Sequence, residues 1–126
     1  MNTGRIAIIA HDAGGAEILS SYLRRRGESY IKECLFSLHG PAQKIFQRKL
    51  GPTPVITIEQ AVAQASSVHC GTGWQTDLEF LSIVMARRRG IPSTAYLDHW
   101  VNYRERFIRD NITHLPDSIV VGDDIA

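Results

Sequence analysis

Three short stretches hold most of the residues able to do chemistry, and each follows an apolar run. His11 and Asp12 come directly after Ile6-Ala-Ile-Ile-Ala10 and lead into Ala13, Gly14 and Gly15. His69 and Cys70 precede Gly71, Thr72, Gly73, Trp74 and Gln75, and Asp98, His99 and Trp100 come after Ser93-Thr-Ala-Tyr-Leu97. A neutral imidazole at His11 suits general-base work or the binding of a sugar hydroxyl, and a carboxylate such as Asp12 could orient it. Neighbouring residues leave a strand on opposite faces, so adjacency alone does not make His11 and Asp12 a pair. Asp98 is the carboxylate expected to point into the same site, with His99 beside it.

Gly14 and Gly15 allow backbone to approach a ligand, and the free amides of a following helix would favour a phosphate, a carboxylate or a sugar oxygen. A turn that needs glycine only to pass from strand to helix is the structural alternative. The stretch is neither a GxGxxG dinucleotide fingerprint nor a GxxxxGK[ST] phosphate loop. Gly71, Thr72 and Gly73 form a second candidate cradle, in which Thr72 offers a hydroxyl. Trp74 could stack on a sugar or staple a helix to the core. Cys70 is expected to be a small buried hydrophobe. His11, Asp12, His69, Asp98 and His99 fall near one sheet edge, yet none has a local spacing diagnostic of a metal site, so no metal and no cofactor are expected.

Positioning these stretches requires strands that end together. Arg5 to Ala10, Ile31 to Leu38, Val55 to Ile58, Ser67 to Cys70, Ser93 to Leu97 and Ser118 to Val121 read as about six strands. Helical spacing falls between them, over Ala16 to Arg26, Pro41 to Leu50, Glu59 to Ala65 and a segment opened by a Thr76/Glu79 capping box. Asn102 and Glu105 suit a further short helix running to about Asp110. Such alternation predicts an α/β, Rossmann-like three-layer sandwich with a mostly parallel sheet. In the strand order 3-2-1-4-5-6, the ligand crevice lies between the first and fourth strands, where the loops after Ala10 and Cys70 meet.

The composition agrees with one domain spanning residues 1–126. The chain has 126 residues and 14.1 kDa, 44% hydrophobic and 21% charged, which is the profile of a folded domain. Lys+Arg 14 against Asp+Glu 13 leaves +1, so no nucleic-acid partner is expected. No apolar run is long enough to span a membrane and no secretory signal is visible, so a cytoplasmic location is expected. Cys34 and Cys70 make neither a disulfide scaffold nor a CxxC site. Arg24–Arg26 and Arg87–Arg89 close helices, where cations complement the helix dipole. Arg104, Arg106 and Arg109 follow the Asp98 loop, and one of them could face an anionic ligand.

The chain resembles the N-terminal half of GT-B-type glycosyltransferases, a group that includes UDP-N-acetylglucosamine 2-epimerases and polysaccharide-biosynthesis transferases. The resemblance rests on Ile8-Ile-Ala-His-Asp-Ala-Gly-Gly-Ala-Glu17, on Gly71-Thr-Gly73 and on Leu115-Pro-Asp-Ser-Ile-Val-Val-Gly-Asp-Asp124. Its most distinctive part is Tyr96-Leu-Asp-His-Trp-Val-Asn-Tyr-Arg-Glu-Arg-Phe107. It implies an acceptor- or sugar-binding domain acting in polysaccharide or glycoconjugate biosynthesis. His11 and Asp98 would then be catalytic, and Asp12, Gly14, Gly15, Gly71, Thr72, Gly73 and His99 would contact a sugar or nucleotide-sugar ligand. A second domain or protein partner would complete the enzyme. A similarity to zinc-dependent sugar N-deacetylases stops at His11-Asp12, because the Pro and second Asp of that family's His-Pro-Asp-Asp pattern are missing and Ala13-Gly14 stands instead, which removes a ligand and a base. The alternative from another class is a non-catalytic module binding a phosphorylated metabolite.

Overall fold

Ile6–Ala10 forms the central strand, β1, because its run of β-branched and small apolar residues can be covered on both sides. All five residues are buried. The computed structural model describes residues 4–52, 54–71, 78–97, 108–109, 112–113 and 116–121. Within them β1 pairs in parallel with β2 (Cys34–Leu38) on one side and β3 (Ser67–Cys70) on the other. β4 (Ser93–Leu97) follows, and β7 (Ser118–Val121) forms the far edge, so the sheet reads β2-β1-β3-β4-β7. Two further short strands, β5 (Ile108–Arg109) and β6 (Ile112–Thr113), pair with each other as an antiparallel ribbon.

Alternate residues of β1 feed two cores. Ile6, Ile8 and Ala10 pack with Leu19 and Leu23 of α1 (Ala13–Arg26) and with Ala42, Ile45 and Phe46 of α3 (Pro41–Leu50). Ala7 and Ile9 pack with Ile58, Ala61 and Val62 of α4 (Ile58–Gln64) and with Ile83 and Ala86 of α5 (Leu78–Arg89). Each large side chain so buried contributes about 1.5–3 kcal/mol. The result is a Rossmann-like α/β sandwich in which the chain goes from β1 to β2 on one side and returns to β3 on the other. The strand order therefore reverses at β1 and β3, as expected.

Four expectations are corrected. Val55 to Ile58 is not a strand: Val55 makes only an isolated bridge to Phe36, and the sheet has five strands among the described residues. Pro52 and Pro54 lack backbone donors. Ile56 donates its N–H to the Phe36 carbonyl at 2.8 Å, and Thr57 then turns the chain into α4. A Thr57/Gln60 capping box starts that helix: Gln60 N–H donates to Thr57 Oγ1 and Thr57 N–H donates to Gln60 Oε1, each at 3.1 Å. The second strand begins at Cys34 rather than Ile31, because Glu28–Ile31 forms a short helix, α2. Ile108 and Arg109 belong to a ribbon, not to the end of a helix.

α1 begins at Ala13 rather than Ala16, so Gly14 and Gly15 stand within its first turn. Each costs about 1 kcal/mol relative to alanine within a helix, and neither has a positive φ. Turn geometry therefore does not require them, and Gly15 Cα borders the point that a Cβ on Gly71 would occupy. No helix among the described residues is long and apolar enough to cross a membrane.

Thr57→Ala removes one half of the α4 capping box. It is expected to cost about 1 kcal/mol, read as a lower urea midpoint at unchanged slope; an unmoved midpoint would show that the cap contributes nothing.

Candidate functional site

The ends of β1, β2 and β3 meet at one edge of the sheet, and His11 stands at their centre. Its backbone is held from both sides. The His11 N–H donates to Glu79 Oε2 of α5 at 3.2 Å, and the His11 carbonyl accepts from the Ala42 N–H of α3 at 3.1 Å. Only this one residue separates β1 from Asp12, the extended N-cap position of α1. The chain has thus already left the strand, and the alternation of strand faces no longer applies to the two side chains.

They meet. His11 Nδ1 lies 2.6 Å from Asp12 Oδ1, with the side chains 12% and 22% exposed. An ionised Asp12 can only accept, so the proton of a neutral imidazole belongs on Nδ1 and the lone pair on Nε2. The ring is seated on Gly40, the residue before α3. A Cβ at position 40 would come within 2.7 Å of His11 Nε2, and Gly40 has φ +53°, a conformation that side chains rarely adopt. The neighbouring strand end supplies His39. Its N–H donates to the Ala10 carbonyl at 3.0 Å, and its Nε2 lies 3.0 Å from the buried Ser37 hydroxyl. Burial first, and His11 second, lower the His39 pKa below its usual value.

Glu79 is the member with the greatest reach. The sequence places it in a capping box with Thr76, which lies outside the described residues. In the fold its side chain is 2% exposed and extends across the ends of β3 and β1 to the His11 amide. Gly71 makes room for it: a Cβ there would lie 2.4 Å from Glu79 Oε2 and 3.2 Å from Gly15 Cα. Gly71 therefore lets β3 and α5 close together, with Gly15 of α1 bordering the same point.

Of the residues expected at the site, His11, Asp12, Gly14, Gly15 and Gly71 are placed at this edge. Thr72, Gly73, Asp98 and His99 lie outside the described residues, as do Trp74 and Trp100. Gly40, His39 and Glu79 were not picked out as site residues. A His-Gly-Pro run joining a strand to a helix was the signal for the first two, and the early Glu of α5 for the third.

His69 lies elsewhere. It stands opposite Ile8 on the face covered by α1, where His69 Nδ1 is 2.7 Å from the Tyr96 hydroxyl. Its ring stacks near Tyr22, at 6.4 Å and 16°, and the Arg26 guanidinium covers the Tyr30 ring at 4.3 Å. Burial, with a smaller contribution from Arg26, lowers the His69 pKa from 6.5 to about 4. Among the described residues no three His, Cys, Asp or Glu side chains converge as a metal site. Cys70 is fully buried and its thiol is pushed up by burial and by Glu79, which leaves it protonated and inert.

The arginine triplets close their helices at the opposite edge of the sheet. Arg89 donates to the carbonyls of Val62 and Ala65 at the end of α4, and Arg26 lies over Tyr30 and Tyr22. Compared with known proteins, the chain matches no family model, no curated protein and no solved structure at a significant level.

Because the folded chain holds His69 neutral down to about pH 4 and an unfolded one protonates near 6.5, the unfolded state binds the extra proton in that window. The stability from neutral His69 is complete above pH 6.5 and is lost as pH falls towards 4, by an amount on the order of 3 kcal/mol. Urea unfolding across this range should show a smaller loss for His69→Gln than for the native chain. Parallel profiles would remove His69 from the acid response.

Proposed function

We propose that this Rossmann-like domain binds a sugar or sugar acceptor in a GT-B-type glycosyltransferase of polysaccharide or glycoconjugate biosynthesis, with His11 as the base. The observation that carries the reading is the 2.6 Å contact between His11 Nδ1 and Asp12 Oδ1 at the point where the strand order reverses. The resemblance of Ile8–Glu17, Gly71–Gly73, Tyr96–Phe107 and Leu115–Asp124 to that family supports the choice of substrate class.

The chemistry asked of the pair is modest. Asp12 holds the Nδ1 proton, which leaves the Nε2 lone pair as the basic site and favours the imidazolium once it forms. An acceptor hydroxyl within about 2.6–3.2 Å of Nε2 would give up its proton as its oxygen bonds to the anomeric carbon. The bond from that carbon to the nucleotide breaks in the same step, and the nucleotide leaves with the electron pair. Gly40 keeps the ring in register, since any side chain there would displace Nε2. Asp98, which follows β4 in the sequence, is the second acid or base that the resemblance suggests.

In the longest natural form of the protein, His11→Ala is expected to lower glycosyl transfer by about 10²–10⁴-fold. Asp12→Asn should fall in the same direction, because an amide can donate to Nδ1 and reverse the tautomer. Gly40→Ala should reproduce part of the loss by moving the ring. Turnover that survives both His11→Ala and Asp12→Asn unchanged would refute the pair as the catalytic base.

A further inference from the structure

We propose that Glu79 is a built-in anion that excludes phosphate from the crevice and restricts it to uncharged, hydroxyl-bearing ligands. The inference deepens the sugar-binding reading and rests on the same crevice being the ligand site.

A strand that runs through a glycine-containing turn into a helix ordinarily offers its amides to an external phosphate. The first amides of a helix have no partner within it. Here the anion comes from the protein. Glu79 Oε2 accepts the His11 N–H at 3.2 Å, in the turn between β1 and α1 where a ligand anion would seek a donor. The carboxylate lies so close to β3 that a Cβ on Gly71 would stand 2.4 Å from it, and Gly15 Cα borders the same point. It is 2% exposed, so water screens it little. The carboxylate thus lies beside the turn that leads into the helix, on the amide just before its N-cap.

The neighbouring charges point the same way. Asp12 places a second carboxylate 2.6 Å from the His11 ring. Burial and His11 keep His39 uncharged at neutral pH. Among the described residues, those that frame the crevice, 11–15, 39–41 and 71, include no Lys or Arg. Arg48 and Lys49 of α3 are paired with Glu17, at 2.9 and 2.6 Å. A phosphate entering here meets two negative charges, whereas a sugar hydroxyl can donate to carboxylates and accept from amides. The crevice thus favours a neutral acceptor over the phosphorylated metabolite of the alternative reading.

Inorganic phosphate is the probe, titrated at constant ionic strength and pH 7 while the amide resonances of His11, Gly14, Gly15 and Gly71 are followed by NMR. The native chain is expected to show no saturable shift at these amides. Glu79→Gln keeps the shape and removes the charge, and Glu79→Ala empties the slot; each should bind phosphate at least about tenfold more tightly. The glutamine variant keeps the test decisive if the alanine variant fails to fold. Saturable binding by the native chain would overturn the proposal, and so would two folded variants that gain nothing. A native chain that excludes phosphate while the variants admit it, yet binds no saccharide, would support the exclusion and count against the sugar-binding reading alone.

Discussion

The hydrogen bond from the His11 amide to the Glu79 carboxylate joins two segments 68 positions apart, and the arrangement of the sheet edge depends on it. A buried carboxylate is tolerated only where donors reach it, so α5 must begin close to the end of β1. That closeness in turn requires Gly71, whose missing side chain leaves room for the acid. The other side of His11 is fixed by α3 through the Ala42 amide. With its backbone held on both sides, the imidazole meets Asp12 and sits over Gly40. One constraint therefore positions the helices, selects Gly71 and aims the ring.

The two edges of the sheet have opposite characters for a physical reason. Strand ends that feed helix N-termini collect small residues, acids and histidines, while helix C-termini at the far edge collect arginines. Cations there satisfy carbonyls left over at helix ends, as Arg89 does for Val62 and Ala65. Arg26 finds a further partner in the Tyr30 and Tyr22 rings, and its charge helps keep His69 neutral. The triplets thus stand where the sequence places them, in the last turns of α1 and α5.

The legibility of the elements tracked the strength of their local signals. The α3 helix was readable to its ends, because Pro41 opens it and Gly51 (φ +87°) closes it. β1, β3, β4 and β7 were readable from their apolar runs. The misreadings came where two local rules compete. Val55 to Ile58 has the composition of a strand, yet flanking prolines and the Thr57/Gln60 box favour a bridge followed by a helix. Glu79 satisfied a local capping rule, but in the fold it also answers the His11 amide, which no local window contains.

The sequence by itself determined the alternation of strands and helices, the parallel sheet buried on both faces and the edge at which His11, Asp12 and Gly71 come together. These follow from periodicity and from chain-local rules about caps and turns. Only the tertiary structure decided that His11 meets Asp12, that Gly40 seats the ring and that Glu79 reaches the His11 amide. It also turned His69 away from that edge and into an aromatic cluster. Such contacts depend on which strand lies beside which and on how closely two helices approach a third element. They are distances between remote residues, and a one-dimensional pattern holds the residues without the distances.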